Sequence, residues 1–203
     1  MFKSVKNRII ASVLCSTIFV GMLAFANFSN RCEEVRDSVF RLHIIANSDN
    51  EEDQRLKLKV RDALLAASED YFSACKTRDD SAKEAEMHIK DFENIASEVI
   101  SQNGYDYGVE ASVGTAFFGT RSYDDFTLPA GEYEALRVVI GEGRGKNWWC
   151  VMFPAVCLPS ATDSKIEDAL TESGAEIVKN EVKFKASFKC VEWYENIKAY
   201  FKG

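Results

Sequence analysis

The chain has 203 residues, of which 46% are hydrophobic and 28% are charged, and its formal net charge is −7. This balance is typical of a folded globular protein and excludes a disordered one. The length suits one domain of ordinary size or two very small ones.

The first thirty residues differ from the rest of the chain. Three basic residues precede an uncharged apolar stretch from Ile9 to Ala26, the pattern of an export signal. As a helix this stretch would be roughly 27 Å long, near the lower limit for spanning a bilayer. The small residues at the ends of "AFA" (24–26) fit a cleavage site, so a cleaved signal peptide and a retained anchor both stay open. We therefore predict a signal peptide or anchor over residues 1–30 and a single domain over residues 31–203.

The exported part of the chain is acidic. Without residues 1–26 it has 22 basic and 32 acidic residues, a net charge of −10. Such a domain has no excess of Lys and Arg with which to bind nucleic acid or anionic lipid headgroups through bulk charge. Its partners are expected to be proteins.

The sequence contains six cysteines: Cys15 lies in the apolar stretch, and the others are Cys32, Cys75, Cys150, Cys157 and Cys190. Five is an odd number, so at least one thiol outside the stretch stays free or pairs between chains. We favour a disulfide between Cys150 and Cys157, the closest pair. The alternative, two buried thiols, stays open.

The first half of the domain predicts a strand followed by two helices. Residues alternate from Ser38 to Ala46 as in a strand. Ser48 or Asp49 can cap a helix that runs to about Cys75. The second helix is predicted over 81–103, with a capping box formed by its first residue and the fourth.

The second half predicts strands over 107–118, over "EYEALRVVIGEGRG" and over "NWWCVMF", which Pro154 ends. A short helix at "DSKIEDALTESG" and a terminal helix over 183–201 follow. A strand, two helices, a run of strands and terminal helices indicate an α+β fold, in which helices cover a mainly antiparallel sheet.

The densest polar cluster follows the first strand and consists of His43, Asn47, Ser48, Asp49 and Asp53. Nucleophilic catalysis requires a base that a third group orients. Helix capping already accounts for Ser48 and Asp49, so we favour a structural role for both. His43 is expected either to bond a carboxylate or to contact a partner.

No other pattern predicts an active site, a cofactor or a metal. Cys150 lies in an apolar run, where a thiol is more often inert than activated. His43 and His88 are far apart, and no metal-binding motif occurs. The glycines of "GEGRGK" (141–146) lie between strands and predict a hairpin turn.

Adjacent tryptophans, Trp148 and Trp149, should point to opposite faces of their strand. An exposed tryptophan beside Arg144, Lys146 and Asn147 would be a plausible anchor for a protein partner. The alternative, that helices cover both rings, stays open.

Two long segments, "FRLHIIANSDNEEDQRLKLKVRDALL" and "GEGRGKNWWCVMFPAVC", with "LPAGEYEALRVVIG" between them, resemble the stage II sporulation protein R family. The resemblance implies a non-enzymatic signalling protein exported from the forespore into the space between two membranes. There it would activate a membrane-embedded aspartic protease that processes the precursor of sigma-E.

The family does not supply a receptor-binding surface, so we predict one from the residues. The predicted partner-binding residues are His43, Asn47, Ser48, Asp49, Arg144, Lys146, Asn147, Trp148 and Trp149. Two rival functions remain: an exported hydrolase that uses His43 with Cys150 or Asp49, and an envelope structural protein held by residues 9–26.

Overall fold

A computed structural model describes residues 2–123, 126–154, 166–179 and 181–202. Its helices are α1 (Phe2–Asp37), α2 (Glu51–Phe72), α3 (Arg78–Met87), α4 (Ile89–Gln102), α5 (Glu172–Lys179) and α6 (Glu181–Lys202), with a 3₁₀ turn at Ile166–Ala169. Its strands are β1 (Phe40–Ile45), β2 (Val109–Phe118), β3 (Arg121–Ser122), β4 (Thr127–Leu128), β5 (Gly131–Ile140) and β6 (Asn147–Phe153).

Four strands form one mixed sheet in the order β2-β5-β1-β6. β1 is parallel to β5, whereas β1 with β6 and β2 with β5 are antiparallel. The predicted α+β class with a mainly antiparallel sheet is confirmed. The predicted hairpin at residues 141–146 is wrong, because β5 and β6 lie on either side of β1 and their connection crosses the end of that strand.

Helices pack on both faces of the sheet and create two cores. Side chains alternate along a strand, so Leu42 and Ile44 of β1 face α2, α3 and α4. The opposite face packs against the C-terminal part of α1, α5 and α6, where Cys32, Val35 and Val191 are fully buried. The molecule is therefore a three-layer sandwich, with β1 in its middle layer.

Helix α2 begins one residue later than the predicted caps allow. Its N-cap is Asn50, whose side-chain oxygen accepts a hydrogen bond from the backbone N–H of Asp53 at 2.6 Å. Ser48 and Asp49 were expected to cap the helix and do not. The Ser48 side chain instead donates a hydrogen bond to Asp53, and the Asp49 side chain accepts one from the backbone of Lys146.

The single helix predicted over 81–103 is two helices, α3 and α4, which meet at His88. The capping box is formed by Thr77 and Asp80, each accepting a bond from the other's backbone N–H at 3.1 Å. It lies four residues before the predicted Ser81–Glu84 box. His88 contacts Glu84 at 3.2 Å and Asp91 at 2.6 Å, so one imidazole links the two helices.

Helix α1 is continuous from the apolar stretch into the globular part. Apolar side chains as far as Leu23 are exposed, whereas Phe28 is only 7% exposed and belongs to the core. Among the described residues, Val5–Asp37 is the one helix long and apolar enough to cross a membrane, and a signal sequence would meet the same criteria. Its continuity and the burial of Phe28 join residues 28–30 to the globule.

At the C-terminal end of the chain, the described part of the predicted segment 163–174 contains the 3₁₀ turn and the start of α5. Residues 163–165 lie outside the described residues. The predicted terminal helix corresponds to α6.

Candidate functional site

The structure brings together the two segments predicted as a recognition surface. The connection from β5 to β6 passes over the C-terminal end of β1, where Gly145 N–H bonds the carbonyl of Ala46 at 2.9 Å. Arg144 N–H bonds the carbonyl of Asn47 at 3.1 Å. We call residues 46–53 with residues 141–147 the junction.

Side chains of the first segment hold the second one in place. Oδ1 of Asn47 accepts a hydrogen bond from the backbone N–H of Glu142 at 2.9 Å, and Oδ1 of Asp49 accepts one from the backbone N–H of Lys146 at 2.7 Å. Gly145 lies so close that a Cβ there would overlap the carbonyl oxygen of Ser48. The connection is therefore fixed by defined bonds along its length.

The carboxylate of Asp53 holds three side chains at the start of α2 and in the loop before it. Its Oδ2 accepts hydrogen bonds from Ser48 Oγ at 2.6 Å, Asn47 Nδ2 at 2.9 Å and Asn50 Nδ2 at 3.1 Å. Burial by itself would raise the pKa of this carboxyl group, but the bonds from Ser48 and Asn47, together with those from Tyr107 and Asn50, lower it. Asp53 is thus a buried, charged acceptor that orders three neighbouring side chains.

A lysine that the sequence analysis overlooked completes the support. Lys57 is 4% exposed, and its Nζ donates to the backbone carbonyl of Lys146 at 2.8 Å and to Oε1 of Gln54 at 2.7 Å. Burial lowers the pKa of Lys57, with Asp49 acting in the opposite direction. Its position between Leu56 and Val60 on the apolar stripe of α2 was the signal that could have identified it.

His43 lies below the junction on the face that α1 and α6 cover. Its ring stacks on Trp149 at 3.8 Å between centroids, and its Nε2 donates to Oδ1 of Asn147 at 3.0 Å. Burial lowers its pKa, and the bond to Asn147 acts in the opposite direction. Of the two roles expected for His43, the bond to a carboxylate is wrong, because the bonded group is the amide of Asn147, and contact with a partner protein stays a prediction.

Arg41 is the charged neighbour of His43 on the same face. It is fully buried, its guanidinium lies 3.9 Å from the centroid of Phe118, and its NH2 group donates to Tyr123 Oη at 2.8 Å. NH1 of Arg41 and Nδ1 of His43 have no hydrogen-bond partner among the described residues. These two side chains support the sheet from inside rather than presenting chemistry at the surface.

The two tryptophans face opposite layers, as predicted for adjacent residues of a strand. Trp149 packs in the core beneath α1 and α6, and Trp148 packs against the core of α2–α4. The guanidinium of Arg61 lies 4.4 Å from the Trp148 ring centroid. Both rings are half-buried, so neither is fully covered and neither is fully exposed.

The proposed hydrolase pairs are not assembled. Cys150 is disulfide-bonded and lies on the α2 side of the sheet, whereas the His43 ring lies on the opposite side. The oxygen Oδ1 of Asp49 is bonded to the Lys146 backbone rather than to His43. The predicted partner of Cys150, Cys157, lies outside the described residues, and that pairing stays a prediction.

The described residues contain no group of three or more His, Cys, Asp or Glu side chains that could hold a metal ion. A polar pocket of about 320 Å³ lies away from the junction, between α1, α3, β5 and α6. A buried ion pair between Arg36 and Glu195, 3.4 Å apart, forms part of its wall. Its basic groups Arg36, Arg78 and Lys198 each contact a carboxylate of the same lining.

The exposed part of the junction is polar and of mixed charge. Its exposed side chains include those of Asp49, Asn50, Glu142, Arg144, Lys146 and Asn147, and we call these six residues the junction surface. Four of the nine predicted partner-binding residues belong to it. The other five, His43, Asn47, Ser48, Trp148 and Trp149, are buried or half-buried.

These features define a class of protein: an α+β domain on a long apolar N-terminal helix, with an ordered polar surface at one end of its sheet. The family model for stage II sporulation protein R matches residues 36–163. This match includes β1, the whole junction and β6, and it covers more than half of the chain. The chain therefore belongs to the stage II sporulation protein R family.

A curated relative supports this assignment. The chain is 32% identical over 123 residues to stage II sporulation protein R of Bacillus subtilis (strain 168). The aligned region covers 61% of this chain and 55% of the relative, so it spans about half of the relative's length. No solved structure matches the chain.

Proposed function

We propose that this protein is an exported signalling protein of sporulation that activates a membrane-embedded aspartic protease, so that the precursor of sigma-E is processed. The observation that carries the proposal is the family match over residues 36–163, which contains the complete junction. In this proposal the apolar part of α1 directs export from the forespore into the space between the two membranes.

The junction surface supports a role in protein recognition. Its backbone is held by the bonds of Arg144 and Gly145 to the end of β1 and by those of Asn47 and Asp49 to the connection. A surface that is ordered before binding loses less conformational entropy when a partner docks. Its exposed cations and carboxylates can select a partner of complementary charge.

The nine residues first predicted as a contact set have two different roles in this proposal. Asp49, Arg144, Lys146 and Asn147 contact the receptor. The buried or half-buried residues His43, Asn47, Ser48, Trp148 and Trp149 position them.

Activation follows from unequal affinity for two receptor states. A ligand shifts a conformational equilibrium only by the difference between its binding free energies for the two states. We therefore propose that the junction surface binds the active, dimeric form of the protease more tightly than the idle form. The protein contributes binding energy, and the catalytic groups belong to the protease.

The test is a reconstitution in a host that does not sporulate. The protease and the sigma-E precursor are co-expressed with or without this chain carrying its own N-terminal segment, and precursor cleavage is followed by immunoblot. We expect cleavage only when the chain is present and exported. Cleavage that is equal without it would overturn the proposed role.

One variant distinguishes an activating ligand from an exported hydrolase. His43→Gln removes the imidazole that both forms of the hydrolase alternative require, while keeping an amide that can bond Asn147. We expect cleavage to persist in this variant. Loss of cleavage by a folded His43→Gln protein would favour the hydrolase alternative instead.

A further inference from the structure

The exposed face of α6 carries an apolar stripe that is left uncovered by the described part of the domain. Its members and their exposed fractions are Trp193 71%, Tyr194 44%, Ile197 39%, Tyr200 83% and Phe201 81%, and we call them the α6 stripe. Four of them recur at helical spacing, so they share one side of the helix. Large aromatic side chains gathered on one face mark an interaction surface rather than a random solvent face.

The α6 stripe begins beside the point where α1 leaves the globule. The ring of Tyr194 lies 5.6 Å from that of Phe25, while its neighbour Glu195 pairs with Arg36. Phe25 and Arg36 are about 16 Å apart along α1 at the usual rise per residue. Consecutive residues of α6 thus contact positions of α1 that are about three helical turns apart.

The apolar surface continues from the α6 stripe onto α1. On the N-terminal side of Phe25, Met22 and Ile18 lie on the same side of α1 by helical spacing, and their side chains are 64% and 56% exposed. One covering therefore has to account for two surfaces that meet at the Phe25–Tyr194 contact. A second copy docked on α6 alone would leave the α1 side chains exposed, whereas a bilayer covers both.

We propose that α1 is retained in the membrane and that the α6 stripe rests on the bilayer surface beside it. Trp and Tyr favour the interface between hydrocarbon and water, because their rings combine an apolar body with a polar group. The contact is apolar, so the negative charge of the domain does not oppose it and zwitterionic lipid suffices. Helix α6 lies outside residues 36–163, so this inference is independent of the proposed receptor contact.

The test uses the full chain in zwitterionic proteoliposomes whose acyl chains are brominated near the headgroup. Bromine quenches only tryptophans that reach the lipid. We expect the tryptophan emission of the wild-type protein to be lower in brominated than in unbrominated vesicles. The Trp193→Phe variant should show no such difference. Equal quenching in the two proteins, or none in the wild type, would overturn the proposal.

Two further variants establish that the stripe, and not proximity alone, makes the contact. Tyr200→Ser combined with Phe201→Ser should reduce quenching of Trp193, because the end of α6 would no longer be held at the lipid. Met87, 70% exposed on α3, provides the matched site. A tryptophan introduced by Met87→Trp in the Trp193→Phe background should be unquenched. Unquenched Trp193 together with a disulfide between copies at Cys190 would show that a second chain covers the stripe.

Discussion

Asp53 shows how one residue can decide the order of a surface that it does not itself form. It is 2% exposed and accepts hydrogen bonds from Asn47, Ser48 and Asn50. Two of these donors, Asn47 and Ser48, also lie against the connection from β5 to β6, which carries the exposed cations Arg144 and Lys146. A change at Asp53 should therefore loosen residues that are distant from it in the sequence.

We predict that Asp53→Asn lowers the free energy of unfolding by about 2 kcal/mol, because it replaces a charged acceptor of several bonds with a neutral amide. Urea denaturation measures the loss. Glu51→Gln is the matched control, since that side chain is 84% exposed in the same helical turn. The control should change stability by less than about 0.5 kcal/mol, and equal losses in the two variants would contradict the role of Asp53.

Because the pKa of Asp53 is lowered, the difference in free energy of unfolding between the wild type and Asp53→Asn should depend on pH. A depressed carboxyl pKa contributes stability that is present above the unfolded-state value of about 3.9 and is lost as the pH falls through the folded-state value. The gap between the wild type and Asp53→Asn should accordingly narrow below about pH 4. A gap that stays constant under acid would show that the charge on Asp53 is not responsible.

His43 should make stability depend on pH nearer to neutrality. Its folded-state pKa is lowered by burial, so below about pH 6.5 the unfolded chain binds a proton that the folded chain excludes. The stability of the wild type should therefore fall as the pH drops below this value. Denaturation series of the wild type and His43→Gln should converge in that range, and parallel curves would contradict the assignment.

At the scale of elements, the sequence predicts most helices and strands but not their neighbours in the sheet. Alternation of residue types along 38–46 and 107–118 was sufficient to predict two strands, although β1 is buried on both faces. The hairpin predicted at 141–146 is wrong because glycines indicate a turn but do not indicate which strand the turn passes over. The insertion of β1 between β5 and β6 depends on contacts between residues distant in the sequence.

The same limit applies to the site. The sequence singled out both segments of the junction, because polar residues followed an apolar strand and glycines preceded the tryptophans. It did not show that Asn47 and Asp49 bond the other segment. It also missed Lys57, whose burial arises only when α2 packs against the connection.

The crossing connection gives a prediction for Gly145. In Gly145→Ala the new methyl group would meet the backbone carbonyl of Ser48, which cannot move without disturbing the loop. We expect a loss of about 2 kcal/mol in thermal or urea unfolding. Gly114→Ala in β2 is the control, because its added methyl group would meet nothing within 4 Å. A loss of the same size at Gly114 would show that the close approach at Gly145 is not the cause.

The start of α3 offers a second prediction at this scale. Thr77 caps the helix, although the Ser81–Glu84 pair matches the same sequence motif further along. Thr77→Ala should cost about 1 kcal/mol, because it leaves the backbone N–H of Asp80 without its acceptor. The exposed Ser101→Ala change in α4 should leave the urea midpoint almost unchanged, and a larger effect there than at Thr77 would contradict the cap assignment.

At the scale of the whole molecule, two exposed surfaces of the domain differ in character. One end of the sheet displays the junction surface, which is polar and ordered. Helix α1 leaves the domain with apolar side chains exposed as far as Leu23, and it meets the α6 stripe at Phe25. This arrangement suits a domain that is held at one membrane and presents a fixed polar surface to a partner protein.

The measurement that tests the central claim most directly is sigma-E precursor cleavage in the reconstituted system with the charges of the junction surface reversed. One protein carries Arg144→Glu and Lys146→Glu, and a matched control carries Lys83→Glu and Lys90→Glu on the exposed faces of α3 and α4. Both should be exported and folded. We predict that the control supports cleavage as the wild type does and that the junction variant does not. Cleavage undiminished by reversal at the junction would contradict the claim that this surface activates the protease.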